Sequence, residues 1–178
     1  MFKKIYVALV VVALAVTPVA QAKSCILNGC QYVTNATFAN SGTDWTTGGG
    51  NGVTFPNASQ CGTTTNKVAH LDNTEYIEQT FYVDDAYVEY HLNFDLYHLN
   101  DTNNWFDQLK ITVTNEDTSA TETFYIRGSS FTTDCNNLQQ NFILANDYDY
   151  ADVTVRFEVS YSALGQFEID NVGFWAFK

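Results

Sequence analysis

Aromatic, acidic and amide side chains recur at every second position from Tyr87 to Tyr97, namely Tyr87, Glu89, His91, Asn93, Asp95 and Tyr97. In a strand that period puts all of them on one face. Such a face has the parts to hold a sugar, because an aromatic ring stacks on the apolar side of a pyranose while amides, acids and arginine bond its hydroxyls. Gln108, Tyr125, Arg127 and Arg156 sit at the outward parity of three further alternating runs, 108–115, 121–127 and 152–161. If those runs are neighbours of 87–99, the whole set forms one surface with Tyr97 at its edge. Trp105 then either closes over that surface as a second stacking plane or tucks inward as a plug under its loop. A glycan is the partner expected from these residue types.

Catalysis finds fewer parts. No GxSxG elbow, HExxH helix or phosphate loop is present. His91 and His98 differ by seven positions, which on one strand places them on opposite faces and argues against a two-histidine metal site. Glu89 and Asp95 share a strand face, but an exposed acidic face is ordinarily just solvated, and the chain is short for a glycosidase. The expectation is therefore no enzyme. Asp147, Asp149 and Asp152 offer clustered oxygens to a hard cation, as do Asn100, Asp101, Asn103 and Asp107, yet neither group has the glycine and glutamate spacing of an EF-hand.

The elements that carry these residues begin after a leader. Lys3 and Lys4, the apolar run Ile5 to Val16 and the small residues of Ala20-Gln21-Ala22 have the pattern of a secretory signal, expected over 1–22. Its apolar run is short for a membrane span, and no other stretch reaches that length, so no membrane insertion is expected. Residues 23–178 fit one domain. Without Lys3 and Lys4, six basic residues face twenty acidic ones, a net charge of −14. That excludes nucleic acid, whose phosphates need Lys and Arg, and disfavours anionic polysaccharide and anionic lipid. Cys25, Cys30, Cys61 and Cys135 are an even set in an oxidising compartment. Cys25–Cys30 with Cys61–Cys135 is the first choice among three possible pairings, and the spacings lack the close doublets of zinc sites.

Alternation then marks strands at 67–71, 75–83, 87–99, 108–115, 121–127 and 152–161, with a short apolar strand at 141–145. Gln31 to Ala39 is rich in β-branched and aromatic residues and also reads as a strand. Asn40 to Gly52 reads as a glycine-rich loop. At the C-terminal end, Phe167 and Ile169 lie on one parity but Val172 and Phe174 on the other, a phase slip at Asp170-Asn171 that calls for a β-bulge. The runs 152–161 and 166–177 read as a hairpin. No helical period is found, so the fold class is all-β: a two-sheet antiparallel β-sandwich, or jelly roll.

The Ile169-Asp170-Asn171-Val172 ending, the strand IEQTFYV at 77–83 and the opening Asn35-Ala36-Thr37-Phe38 before Trp45 resemble galactose-binding-like jelly rolls, the fold of many extracellular carbohydrate-binding modules. The resemblance implies a structural calcium held by a final-strand aspartate and a glutamate after the opening phenylalanine. Ala39 stands in that glutamate's place, which leaves Asp170 with Asn40 or Asp44 as the metal candidates. The function expected is a secreted, lectin-like, non-catalytic glycan binder, outside the cell or at its surface. The competing expectation is a structural or adhesive subunit of a matrix or filament, self-associating through strand edges as a homo-oligomer or polymer.

Overall fold

The computed structural model describes residues 23–26, 28–57, 60–61, 67–99, 106–131, 135–161 and 166–178. The leader expected over 1–22 and Trp105 lie outside them. Alternating apolar residues give β4 (Ala69–Asp72), β5 (Tyr76–Tyr82), β6 (Glu89–Leu99), β7 (Gln108–Asn115), β8 (Ala120–Arg127), β9 (Asn137–Leu144), β10 (Asp152–Tyr161) and β11 (Gln166–Phe177). Three short strands precede them: β1 (Ser24–Ile26), β2 (Gly29–Gln31) and β3 (Thr46–Gly48). The first sheet runs β1-β2-β11-β6-β9 with β4 also paired to β11, and the second runs β3-β5-β10-β7-β8. Every named pairing is antiparallel. The fold is thus the expected β-sandwich.

Inward parities of the two sheets meet in one core. Leu92, Phe94 and Leu96 of β6 and Phe167, Ile169 and Phe174 of β11 face Ile77, Ile111, Val155 and Phe157 from the second sheet, all buried. Phe94 meets Phe157 edge to face, with ring centroids 4.9 Å apart. The phase slip in β11 is a bulge: the register with β6 shifts between Asp170 and Gly173, and Asn171 has φ 51°. It turns Val172 and Phe174 inward where Asp170 would have dictated otherwise. Cys25–Cys30 closes the β1–β2 turn and Cys61–Cys135 ties two loops together, with no cysteine left free.

Three expectations are corrected. The Asn40–Gly52 stretch is not loop throughout, because Thr46–Gly48 pairs with Tyr76–Glu78 as β3 at the edge of the second sheet. β10 and β11 are not a hairpin, because β10 pairs with β5 and β7 in one sheet and β11 with β2, β4 and β6 in the other. Each strand finds its partners within its own sheet, so the chain changes layers between β10 and β11. Gln31 to Ala39 is not a strand beyond Gln31. Asn35, Phe38, Ser41 and Asp44 take positive φ (47°, 51°, 59° and 70°) in a chain of turns that drops Phe38 and Trp45 into the core, their rings 5.3 Å apart.

Candidate functional site

On the outer face of the first sheet, β6 presents Glu89, His91, Asn93 and Asp95, and register sets β11 and β9 on either side. Trp175 and Ile143 flank His91, and Asp170 and Gln139 flank Asp95. A groove of about 880 Å³ runs over this face, with Trp175, Phe177, His91, Asn93, Asp95 and Asn141 among its lining residues. The β1–β2 hairpin, held by its disulfide, contributes Ile26, Asn28 and Gly29 as the wall beside Phe177.

Two glycines shape the floor. A Cβ on Gly173 would stand 2.6 Å from Trp175 Nε1, and one on Gly29 would stand 2.7 Å from Phe177 Cε1. The indole and the phenyl ring therefore lie down over bare backbone rather than standing off the sheet, as side chains ordinarily do. Their planes are 19° apart with centroids at 6.4 Å, so the two recumbent rings form a nearly continuous apolar platform. His91 rises at its border, edge-on to Phe177 at 5.1 Å, flanked by Glu89 at Nε2 and by Asn141 Oδ1, 3.2 Å from Nδ1. Opposite, Asn171 Nδ2 donates to Asp95 Oδ2 at 2.6 Å. The groove lining holds one carboxylate, Asp95, several amides and neither lysine nor arginine. It suits an uncharged ligand with many hydroxyls and repels an anionic one.

Asp170, opposite Asp95 in the β6–β11 register, is 1% exposed. Desolvation first, then the Asp95 charge, push its carboxyl up to about 6 against a donated Asn171 N–H that works the other way. The folded protein accordingly binds more protons than the unfolded chain between about pH 4 and 6, and the stability tied to Asp170 is lost as pH rises through that window. Asp170→Asn should melt higher than the parent at pH 7, by on the order of 1–3 kcal/mol, and like it at pH 4. Differential scanning fluorimetry at both pH values checks this, and a variant less stable at pH 7 would show that the charge is used.

The surface expected from sequence is divided. His91, Asn93 and Asp95 share the groove, and Glu89 stands outside it, bonded to His91. Tyr87 and Tyr97 do not: Tyr87 is packed with its hydroxyl 2.8 Å from that of Tyr32, and Tyr97 is 4% exposed with its hydroxyl accepting from Asn137 Nδ2. Gln108, Tyr125, Arg127 and Arg156 belong to β7, β8 and β10, on the opposite side of the sandwich. Arg156 is committed there, stacked 3.5 Å over Tyr76 and bonded to Glu78 and Glu158. The separation of Gln108, Tyr125, Arg127 and Arg156 has one cause: the chain passes from one sheet to the other between β6 and β7, so these consecutive strands do not adjoin. Trp105 lies between them in sequence, outside the described residues. Sequence reading missed Trp175, Phe177, Asn141 and Asn171. The signal was present, because after the bulge Trp175 and Phe177 fall off the parity of Val172, Phe174 and Ala176.

The metal candidates are not gathered. Asn40 and Asp44 are exposed turn residues while Asp170 is buried, and among the described residues no group of three or more His, Cys, Asp or Glu could hold an ion. The loop that would supply carbonyl oxygens is closed by amides instead. Asn35 Nδ2 donates to the carbonyls of Ser41 (2.7 Å) and Thr43 (2.8 Å), and Gln79 Nε2 donates to those of Thr34 and Asp44, both 3.1 Å. The 34–45 turns are thus held by side-chain amides, and Asn40, Asp44 and Asp170 are not brought together as one donor set.

No protein-family model matches the chain, and no curated protein sequence does. Solved structures of similar shape exist. A cyclase from Fischerella sp. TAU aligns with TM-score 0.57 and 14% identity over 83% of this chain and 97% of its own. A structure described as Family 16 Carbohydrate Binding Module-2 gives 0.56 and 14% over 79% and 96%. The CBM22-1 xylan-binding domain of Paenibacillus barcinonensis Xyn10C gives 0.52 and 10% over 80% and 92%. Of the bacteriophage CBA120 tailspike protein 4 active domain, the chain spans only 21%. At these identities the likeness is one of fold: the β-sandwich of carbohydrate-binding modules and of other domains besides.

Proposed function

We propose that this protein is a secreted, non-catalytic carbohydrate-binding module that holds a neutral glycan in the groove of its first sheet. The observation that carries the reading is the recumbent Trp175–Phe177 pair over Gly173 and Gly29, bordered by His91, Asn141 and Asp95. A π face lying open along a groove, with amides and acids around it, matches the amphipathic surface of a sugar chain. Two structures of similar shape are described as a carbohydrate-binding module and a xylan-binding domain, which adds support of a coarse kind.

The spacing of the two carboxylates singled out on β6 supports the non-catalytic reading. Glu89 and Asp95 are six residues apart on one strand, about 20 Å at the usual rise, whereas glycosidase carboxylates stand roughly 5–9.5 Å apart. Secretion rests on the leader pattern together with two disulfides. On this reading the Asn35 and Gln79 amides hold the 34–45 turns without a metal. The melting temperature and glycan affinity are expected to be the same in excess chelator and in excess calcium, and a rise in either with calcium would restore the metal. A panel of neutral polysaccharides assayed by affinity electrophoresis tests the function: at least one should retard the protein, and anionic ones should not.

A further inference from the structure

We propose that β9 is a dimerisation edge, along which two copies of this chain pair their first sheets antiparallel about a two-fold axis at Gln140. The inference rests on backbone direction and charge, independently of any ligand in the groove.

β9 ends the first sheet, pairing with β6 through eight consecutive residues without a register shift. Which of its backbone groups point outward is fixed by bonds elsewhere in the sheet. The Phe177 carbonyl accepts from Val88 N–H beside β6, and the Phe174 carbonyl accepts from Tyr32 N–H beside β2. Odd-numbered residues of β11 thus bond towards β6, and through the pairs Trp175↔His91 and Gly173↔Asn93 so do odd residues of β6 towards β11. Even residues of β6 then bond β9 through Leu138, Gln140, Phe142 and Leu144. Asn137, Gln139, Asn141 and Ile143 are left with N–H and C=O groups facing out. The Gln139 carbonyl fits this assignment, because it accepts the exposed side-chain amide of Gln140 at 3.2 Å.

Natural edges are usually guarded by a charge, a proline or a bulge. β9, Asn-Leu-Gln-Gln-Asn-Phe-Ile-Leu, has none of these, in a chain of net charge −12. The other strands of seven residues or more all carry an ionisable side chain, and the edge of the second sheet, β8, carries Glu122 and Arg127. A strongly acidic protein meets its own copy most cheaply along a neutral strip. Ile143 on that strip is 65% exposed.

Symmetry limits the register, and the count of hydrogen bonds then selects it. Residues paired across a two-fold axis must lie on the same face, and the outward-facing ones must form the hydrogen-bonded pairs. With Gln140 opposite its own copy, Asn137 pairs with Ile143 and Gln139 with Asn141, an arrangement of about eight backbone hydrogen bonds. Leu138 then meets Phe142 on the inner side. Gln139 and Asn141 line the groove, so the two grooves would abut across the axis and a long polymer could occupy both at once.

Sedimentation of the mature chain tests this with Ile143→Pro, which removes an outward N–H and leaves the bonds to β6 in place. The parent should be a dimer at high micromolar concentration that dissociates on dilution, and the variant a monomer throughout. A parent that stays monomeric to submillimolar concentration overturns the proposal, as does a variant that dimerises equally well. Should Ile143→Pro fail to fold, Ile143→Lys replaces it, with the same monomer expected and an undiminished dimer again counting against β9.

Discussion

Trp175→Ala should weaken glycan binding by about 30-fold, or roughly 2 kcal/mol, while leaving the melting temperature within a few degrees of the parent. The ring is half-buried on the outer face of the sheet and takes no part in the core, so its loss removes ligand contact rather than packing. A companion change separates platform shape from apolar content. Gly173→Val deletes no aromatic atom, but its side chain must enter the space where Trp175 Nε1 would lie 2.6 Å from Cβ. The indole and the Asn93 amide, whose Oδ1 would lie 2.5 Å from that Cβ, would both have to shift, and affinity should fall several-fold although no ligand-facing group is deleted. Isothermal titration with the best ligand measures both variants. Unchanged affinity in Trp175→Ala would place the site elsewhere, and unchanged affinity in Gly173→Val would mean that the ring need not lie flat.

Gln79→Leu should cost about 3 kcal/mol or more of folding stability. Gln79 is 2% exposed and does the work of several residues for the 34–45 loop. Its Oε1 accepts from Thr34 N–H at 2.8 Å, and its Nε2 reaches the carbonyls of Thr34 and Asp44. Leucine fills the same space but leaves those buried backbone groups without partners. Urea denaturation gives the magnitude, and hydrogen exchange should show the loss of protection concentrated in 34–45. A cost below 1 kcal/mol would mean that the Phe38 and Trp45 rings hold the loop by packing alone.

That loop also shows where a sequence stops being legible. Gln31 to Ala39 has the composition of a strand, yet Asn35 and Phe38 take positive φ. What overrides local propensity is a glutamine more than forty positions away, sitting at the core parity of β5. β6, β7, β8 and β10 were readable within a residue or two because a period of two survives burial of one face. So was the bulge at Asp170-Asn171, since a phase slip in apolar residues has few other causes. Sheet membership was not readable. Nothing in the residues of β6 and β7 says that the chain changes layers between them, and this alone separates Glu89, His91, Asn93 and Asp95 from Gln108, Tyr125, Arg127 and Arg156. Of the eleven residues expected to form one surface, four share the outer face of the first sheet and four lie on the opposite side of the sandwich. The stacking rings were overlooked because they follow the bulge, where the outward parity changes.

The central claim is that the groove over Trp175 and Phe177 binds neutral glycan. Titration of isotopically labelled mature protein with neutral oligosaccharides, followed by nuclear magnetic resonance, tests it at residue resolution. The predicted result is shifts of the Trp175 indole N–H and of the amides at 91–95, 139–141 and 173–177, with β7, β8 and β10 undisturbed. Shifts confined to the Tyr125 and Arg156 face, or none with any neutral sugar, would contradict it.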